Sequence, residues 1–119
     1  MFDKLKGLFE TYSQSKSNHK DPTLRTFDIK MGAGYAANTI IEILKELKYK
    51  TIRYNDVYNE IFTSKAGYEV TVNLIASQGG STTVSVSVYS PANRGRTRKA
   101  LRFLLNKFKE TFKPYITYE

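Results

Sequence analysis

The sequence predicts an α+β domain: one antiparallel sheet of about five strands, in the order strand, helix, four strands, helix, with both helices on one face. Three observations carry this. Val70, Val72 and Leu74, then Val84, Val86 and Val88, alternate strictly with polar residues around Gly79-Gly80, the pattern of a hairpin with one buried and one wet face. Ala37, Ile40, Ile41, Leu44 and Leu47 fall on one helical stripe, and Leu101, Leu104, Leu105, Phe108 and Phe112 fall on another. Two such stripes cover a single face of a sheet. The other face, with Glu69, Thr71, Asn73, Ile75, Thr83, Ser85, Ser87 and Tyr89, is therefore expected to meet solvent.

Taken in order, Met1, Phe2, Leu5, Leu8, Phe9 and Tyr12 recur at helical spacing and predict a short amphipathic helix flanked by Lys4 and Lys6. Residues 13–22 collect turn formers and predict a flexible connector. The expected organisation is thus residues 1–22 as helix and connector, and residues 23–119 as a single α+β domain. Phe27, Ile29 and Met31 alternate with polar residues and predict a first strand over 24–31, which Gly32-Ala33-Gly34 ends. The first main helix follows over about 35–48. Strands are then expected at 50–54 and 58–64, separated by Asn55-Asp56, and the turn Lys65-Ala66-Gly67 leads into the long hairpin over 68–89. Ser90-Pro91-Ala92-Asn93 is a helix-start signal for a last helix over 97–113, and Pro114 stops it.

A chain of 119 residues with no cysteine and one histidine, His19, makes one domain of ordinary size. It carries no thiolate chemistry, no disulfide, and neither a His-based triad nor a multi-histidine metal centre within one chain. Its apolar runs fall far short of the ~20 residues needed to span a bilayer, so no transmembrane segment is expected. The start has no continuous apolar stretch of the secretory kind, and a cytoplasmic location is the expectation.

The search for chemistry yields no catalytic residue, no cofactor and no metal site. Gly32-Ala33-Gly34 lacks the third glycine and the parallel-sheet context of a dinucleotide site, and reads as a strand-to-helix turn. The carboxylate pairs Asp56 with Glu60 and Glu42 with Glu46 lie among cations or amides and read as solvated surface, as does His19. Charge is what points outward. Nineteen Lys and Arg against eleven Asp and Glu leave a net +8, concentrated towards the end of the chain. Arg94, Arg96, Arg98, Lys99 and Arg102 crowd the start of the last helix, where free N–H groups and the dipole also favour an anion, so they are the candidate anion-binding residues. Phe103 falls between Lys99 and Lys107 rather than with the leucines, and is expected to pack under the N-terminal helix.

From strand to last helix, residues 23–113 resemble the TATA-box-binding-protein-like fold, as seen in small bacterial domains of unknown function. The resemblance rests on the element order and on the helix-ending turn Leu47-Lys48-Tyr49, followed by a Val/Thr strand, a glycine turn and a Val/Ser strand entering a basic helix. It implies a fold and no function, and the intercalating phenylalanines of a TATA-binding sheet have no counterparts in the wet-face set above. The functional reading is a non-catalytic binding or protein-interaction module, with a protein partner or a second copy meeting the open face or an edge strand. The alternative is a non-specific binder of nucleic acid or an anionic membrane surface through the basic C-terminal helix.

Overall fold

The computed structural model describes residues 12–90 and 96–117. Six strands form one antiparallel sheet: β1 (Tyr12–Gln14), β2 (Phe27–Ile29), β3 (Lys50–Asn55), β4 (Glu60–Lys65), β5 (Tyr68–Ala76) and β6 (Thr82–Tyr89). Two helices, α1 (Ala33–Glu46) and α2 (Thr97–Phe112), join it. The strand order is β1-β6-β5-β4-β3, and β2 shares the outer edge of β6 with β1.

The central hairpin follows from its alternation. Val70 faces Val88, Val72 faces Val86 and Leu74 faces Val84, so all six apolar side chains point to one side and are buried. Gly79 and Gly80 take φ of 81° and 78° in the connection, a backbone that L side chains rarely adopt. The tighter β4–β5 turn has positive φ at both Ala66 and Gly67, the mirror-image turn whose twist suits a two-residue hairpin.

Both helices lie on the valine side. Ala36, Ala37, Ile40, Ile43 and Leu44 are the buried residues of α1, and the two alanines let its backbone approach the sheet closely. Its end is a Schellman closure. Tyr49 N–H donates to Leu44 O at 2.9 Å and Lys48 N–H to Lys45 O at 3.0 Å, with Lys48 at φ 68° where glycine is usual. That closure is what the Leu47-Lys48-Tyr49 turn does. Leu101, Leu104, Leu105, Phe108 and Phe112 bury the stripe of α2, and the helix passes at Phe112 into a 3-10 turn, Lys113–Tyr115, containing Pro114.

Three expectations change. The sheet has six strands rather than about five, because Tyr12–Gln14 is a strand paired with Ser87–Tyr89 where a helix end and a connector were expected. The rest of the expected N-terminal helix lies outside the described residues, as do Pro91, Ala92 and Asn93 of the helix-start signal. Within residues 13–22 the chain is held at several points. Ser15 N–H donates to Val86 O and Val86 N–H to Ser15 Oγ, both at 2.8 Å, which closes the gap between β1 and β2 along β6. The strand expected over 24–31 shrinks to Phe27–Ile29, since Asp21 caps a 3-10 turn, Pro22–Leu24, that buries Leu24.

Candidate interaction surfaces

α2 starts at Thr97 with Arg96 as its N-cap in the left-handed region, φ 57°, and no side chain caps it. Of the five candidate anion-binding residues, Arg94 lies outside the described residues. Arg96 and Lys99 are exposed. Arg98 is half-buried beside Tyr12, Lys16, His19 and Leu24 in a small cleft where β1 passes under the helix. Arg102 is committed elsewhere: its Nη2 donates to Asp21 Oδ2 at 2.7 Å and its Nε to Thr23 Oγ1 at 3.0 Å.

That latch was hidden in the expected connector. Asp21 Oδ1 accepts from Thr23 Oγ1 at 2.6 Å and from Thr23 N–H at 2.9 Å while Oδ2 takes Arg102, so the Thr23 hydroxyl and the Arg102 guanidinium hold its carboxyl well below the usual carboxylate range. Asp21-Pro22-Thr23 is a capping pattern legible in the sequence. Its partner 81 residues away is not. His19 accepts a hydrogen bond from Asp21 N–H at Nδ1, 3.1 Å, and belongs to the same packed stretch.

The face of the sheet opposite the helices, which no other described element covers, presents the set predicted for it, with three differences, at Ser85, Phe62 and Tyr12. Ser85 is only 8% exposed, sitting 3.4 Å from Ser15 Oγ, so the wet face is interrupted where residue 15 crosses it. Phe62, absent from the predicted set, stands on this face, because its register partners are Arg53 and Thr71. It is 40% exposed. Tyr12 pairs with Tyr89 across β1 and β6, at 53% and 43% exposure, and Ile75 is 57% exposed opposite Thr83. A tyrosine pair, a phenylalanine and an isoleucine stand there among Thr, Ser and Asn, with charged residues beside them: Glu69 faces Tyr89, Arg53 faces Phe62, Glu60 faces Asn73 and Asp28 faces Thr83.

The edges are less inviting. β6 is covered by β1 and β2, and the far side of β2 is covered in turn: Lys30 N–H donates to Tyr115 O at 2.8 Å and Thr117 N–H to Asp28 O at 2.9 Å. β3 is the other edge. A register shift between Lys50 and Arg53, with Thr51 at φ 54°, kinks it, and both residues are charged, two devices that discourage strand addition. Phe103 is 48% exposed with Lys107 Nζ 5.9 Å from its ring centroid. Of the carboxylates read as solvated, Glu42, 3.7 Å from Lys45, Glu46 and Asp56 are exposed, whereas Glu60 is half-buried in β4 between Asn55 and Asn73.

Fold and surface together define a helix-backed, one-sided sheet whose distinctive groups stand on the open strands. Over 62 residues the chain is 32% identical to the flagellar protein FliL of Borreliella burgdorferi, a match over 52% of this chain and 34% of that protein. The chain thus spans about a third of the length of the curated relative it matches. No family model and no solved structure matches it. Among the described residues no helix is long and apolar enough to cross a membrane, and no cluster of His, Cys, Asp and Glu is arranged to hold a metal ion.

Proposed function

We propose that this chain is a non-catalytic protein-interaction module of a flagellar assembly, which meets its partner through the uncovered face of the sheet. The observation that carries the reading is the Tyr12–Tyr89 pair with Phe62 and Ile75 on that face. Exposed aromatic anchors, with Thr71 on one side of Phe62 and the charged Arg53 and Glu69 opposite Phe62 and Tyr89, suit an interface core with a polar rim, and an open antiparallel face presents them on rigid strands. The partial likeness to a flagellar protein supports the class of assembly. The kinked, charged β3 edge argues for the face over strand addition. The likeness to TATA-box-binding-protein-like domains remains a proposal about topology, resting on the order β2-α1-β3-β4-β5-β6-α2, and no function is drawn from it.

The test is a photoreactive phenylalanine analogue placed at Phe62 in the native cell. Irradiation should yield a discrete adduct with a flagellar protein, while the same analogue at Lys45, on the solvent side of α1, should not. Adducts from Lys45 alone, or with nucleic acid, would refute the reading.

A further inference from the structure

Where Thr117 closes the pairing along β2, an open groove runs between the Pro22 to Phe27 stretch and the C-terminal half of α2. Arg25, Lys109 and Lys113 supply its positive charge, and Pro22, Phe27 and Ile116 supply apolar lining. Lys109 is the informative member. Its Nζ lies 5.8 Å from the Phe27 ring centroid and 3.5 Å from Pro22 O, and among the described residues no carboxylate pairs with it. Burial pushes its ammonium below the usual lysine range, and the neighbouring Arg25 pushes the same way. Asp21 opposes the shift from a distance, but both its oxygens are taken by Thr23 and Arg102. A cation held partly out of water without a paired counter-ion is unfavourable, and the three cations of the groove, Arg25, Lys109 and Lys113, outnumber its two acids, Asp28 and Glu110.

Spacing narrows the class of ligand. Lys109 and Lys113 stand one helical turn apart, about 6 Å along the axis. Alternate side chains of an extended chain repeat on one face about every 6.6 Å. A peptide with acids at alternate positions therefore offers a carboxylate to each lysine. Asp28 and Glu110 also line the groove, and they separate peptide from nucleic acid. These carboxylates repel any anion, but a phosphodiester backbone carries its charge on every repeat and has no N–H to offer them, whereas a peptide places backbone N–H groups between its acidic side chains. Asp28 Oδ1 already accepts from Thr83 Oγ1, which leaves Oδ2, and the Asn106 amide both donates and accepts.

We propose that this groove docks an extended acidic segment of a partner protein, its alternate carboxylates on Lys109 and Lys113 and its backbone beside Asp28 and Asn106. The groove adjoins the open face at Asp28 and Thr83, but the residues that carry this assignment, Lys109 and Lys113, are not among the aromatic set, so either assignment can fail without the other.

The test is fluorescence anisotropy with a labelled peptide of four Glu-Thr repeats at ~50 mM salt, where charge contacts are strong. Binding is expected for this peptide and not for Gln-Thr repeats. Lys109→Gln with Lys113→Gln should weaken it by about tenfold or more, while Lys45→Gln with Lys107→Gln, an equal charge loss at exposed positions outside the groove, should change it less than about twofold. Circular dichroism confirms that both double variants fold. Equal losses in the two variants, tighter binding of an oligothymidylate of the same length, or no binding of the Glu-Thr peptide would each overturn the proposal.

Discussion

Replacing Asp21 by asparagine isolates the charge in the latch that ties residues 19–25 to α2. Asparagine keeps an oxygen for Thr23 N–H, so what disappears is the ion pair to Arg102 Nη2 at 2.7 Å. The side chains of the two partners are 34% and 39% exposed, Asp21 and Arg102 respectively, which places the pair between two regimes. A fully exposed pair contributes about 0–1 kcal/mol and a hydrogen bond to a charged group about 1.5–3, so about 1–2 kcal/mol is expected here after allowance for screening. For a domain of this size each kcal/mol moves Tm by roughly 3–6 °C. The pH dependence has a definite sign. Because the folded-state pKa is depressed, the increment is full above the unfolded value, near ~3.9, and is lost as pH falls through the folded one. Asparagine does not titrate. Thermal melts of both proteins should therefore show a gap of several degrees at neutral pH that narrows below about pH 4. Equal Tm at neutral pH, or a gap that is unchanged at about pH 2, would show that the latch is not held by this charge.

Val86→Asp should abolish cooperative melting, since Val86 is fully buried and an unpaired carboxylate there costs at least several kcal/mol against a total of about 5–15, whereas Ser87→Asp, on the uncovered side, should melt near wild type. Ser85→Asp is not an innocuous control, because Ser85 is buried against Ser15. Ser15→Ala should lower stability by about 1–3 kcal/mol in denaturant unfolding, as it leaves the buried Val86 N–H without its acceptor. Lys48→Gly should raise stability by up to about 1 kcal/mol, because glycine takes the left-handed cap at φ 68° without the Cβ strain that lysine bears, and a melt with unchanged or lower Tm would contradict that.

Much of the fold was legible because it is written in short periods. The valine alternation of β5 and β6, the stripe of α2, and the Lys65-Ala66-Gly67 and Gly79-Gly80 turns each encode their own geometry within a few residues and appear where expected, whereas the buried stripe of α1 takes in Ala36 and Ile43 and leaves Ile41 and Leu47 of the expected set half-buried. The candidate site was legible only in outline. The wet face was readable from β5 and β6, but Phe62 was not, since the parity of β4 depends on where its pairing begins, and Asn59 at φ 52° sets that start. Arg102 looked like one cation among five, because nothing within a helical turn of it shows the carboxylate that takes it.

By itself, then, the sequence determined the local conformations, the two-faced sheet and the cationic surplus, all properties of neighbours along the chain. Tertiary structure alone decided that Tyr12–Gln14 is a strand, that Ser15 bridges to Val86, that Asp21 reaches Arg102 and that Lys109 is left half-buried with no paired carboxylate among the described residues. The reason is physical. Tyr12–Gln14 has little strand character of its own and becomes a strand only because the edge of β6 would otherwise leave N–H and C=O groups unpaired, a demand arising more than 70 residues away. Periodicity tells a residue which way it faces, and only the folded chain tells it what it faces.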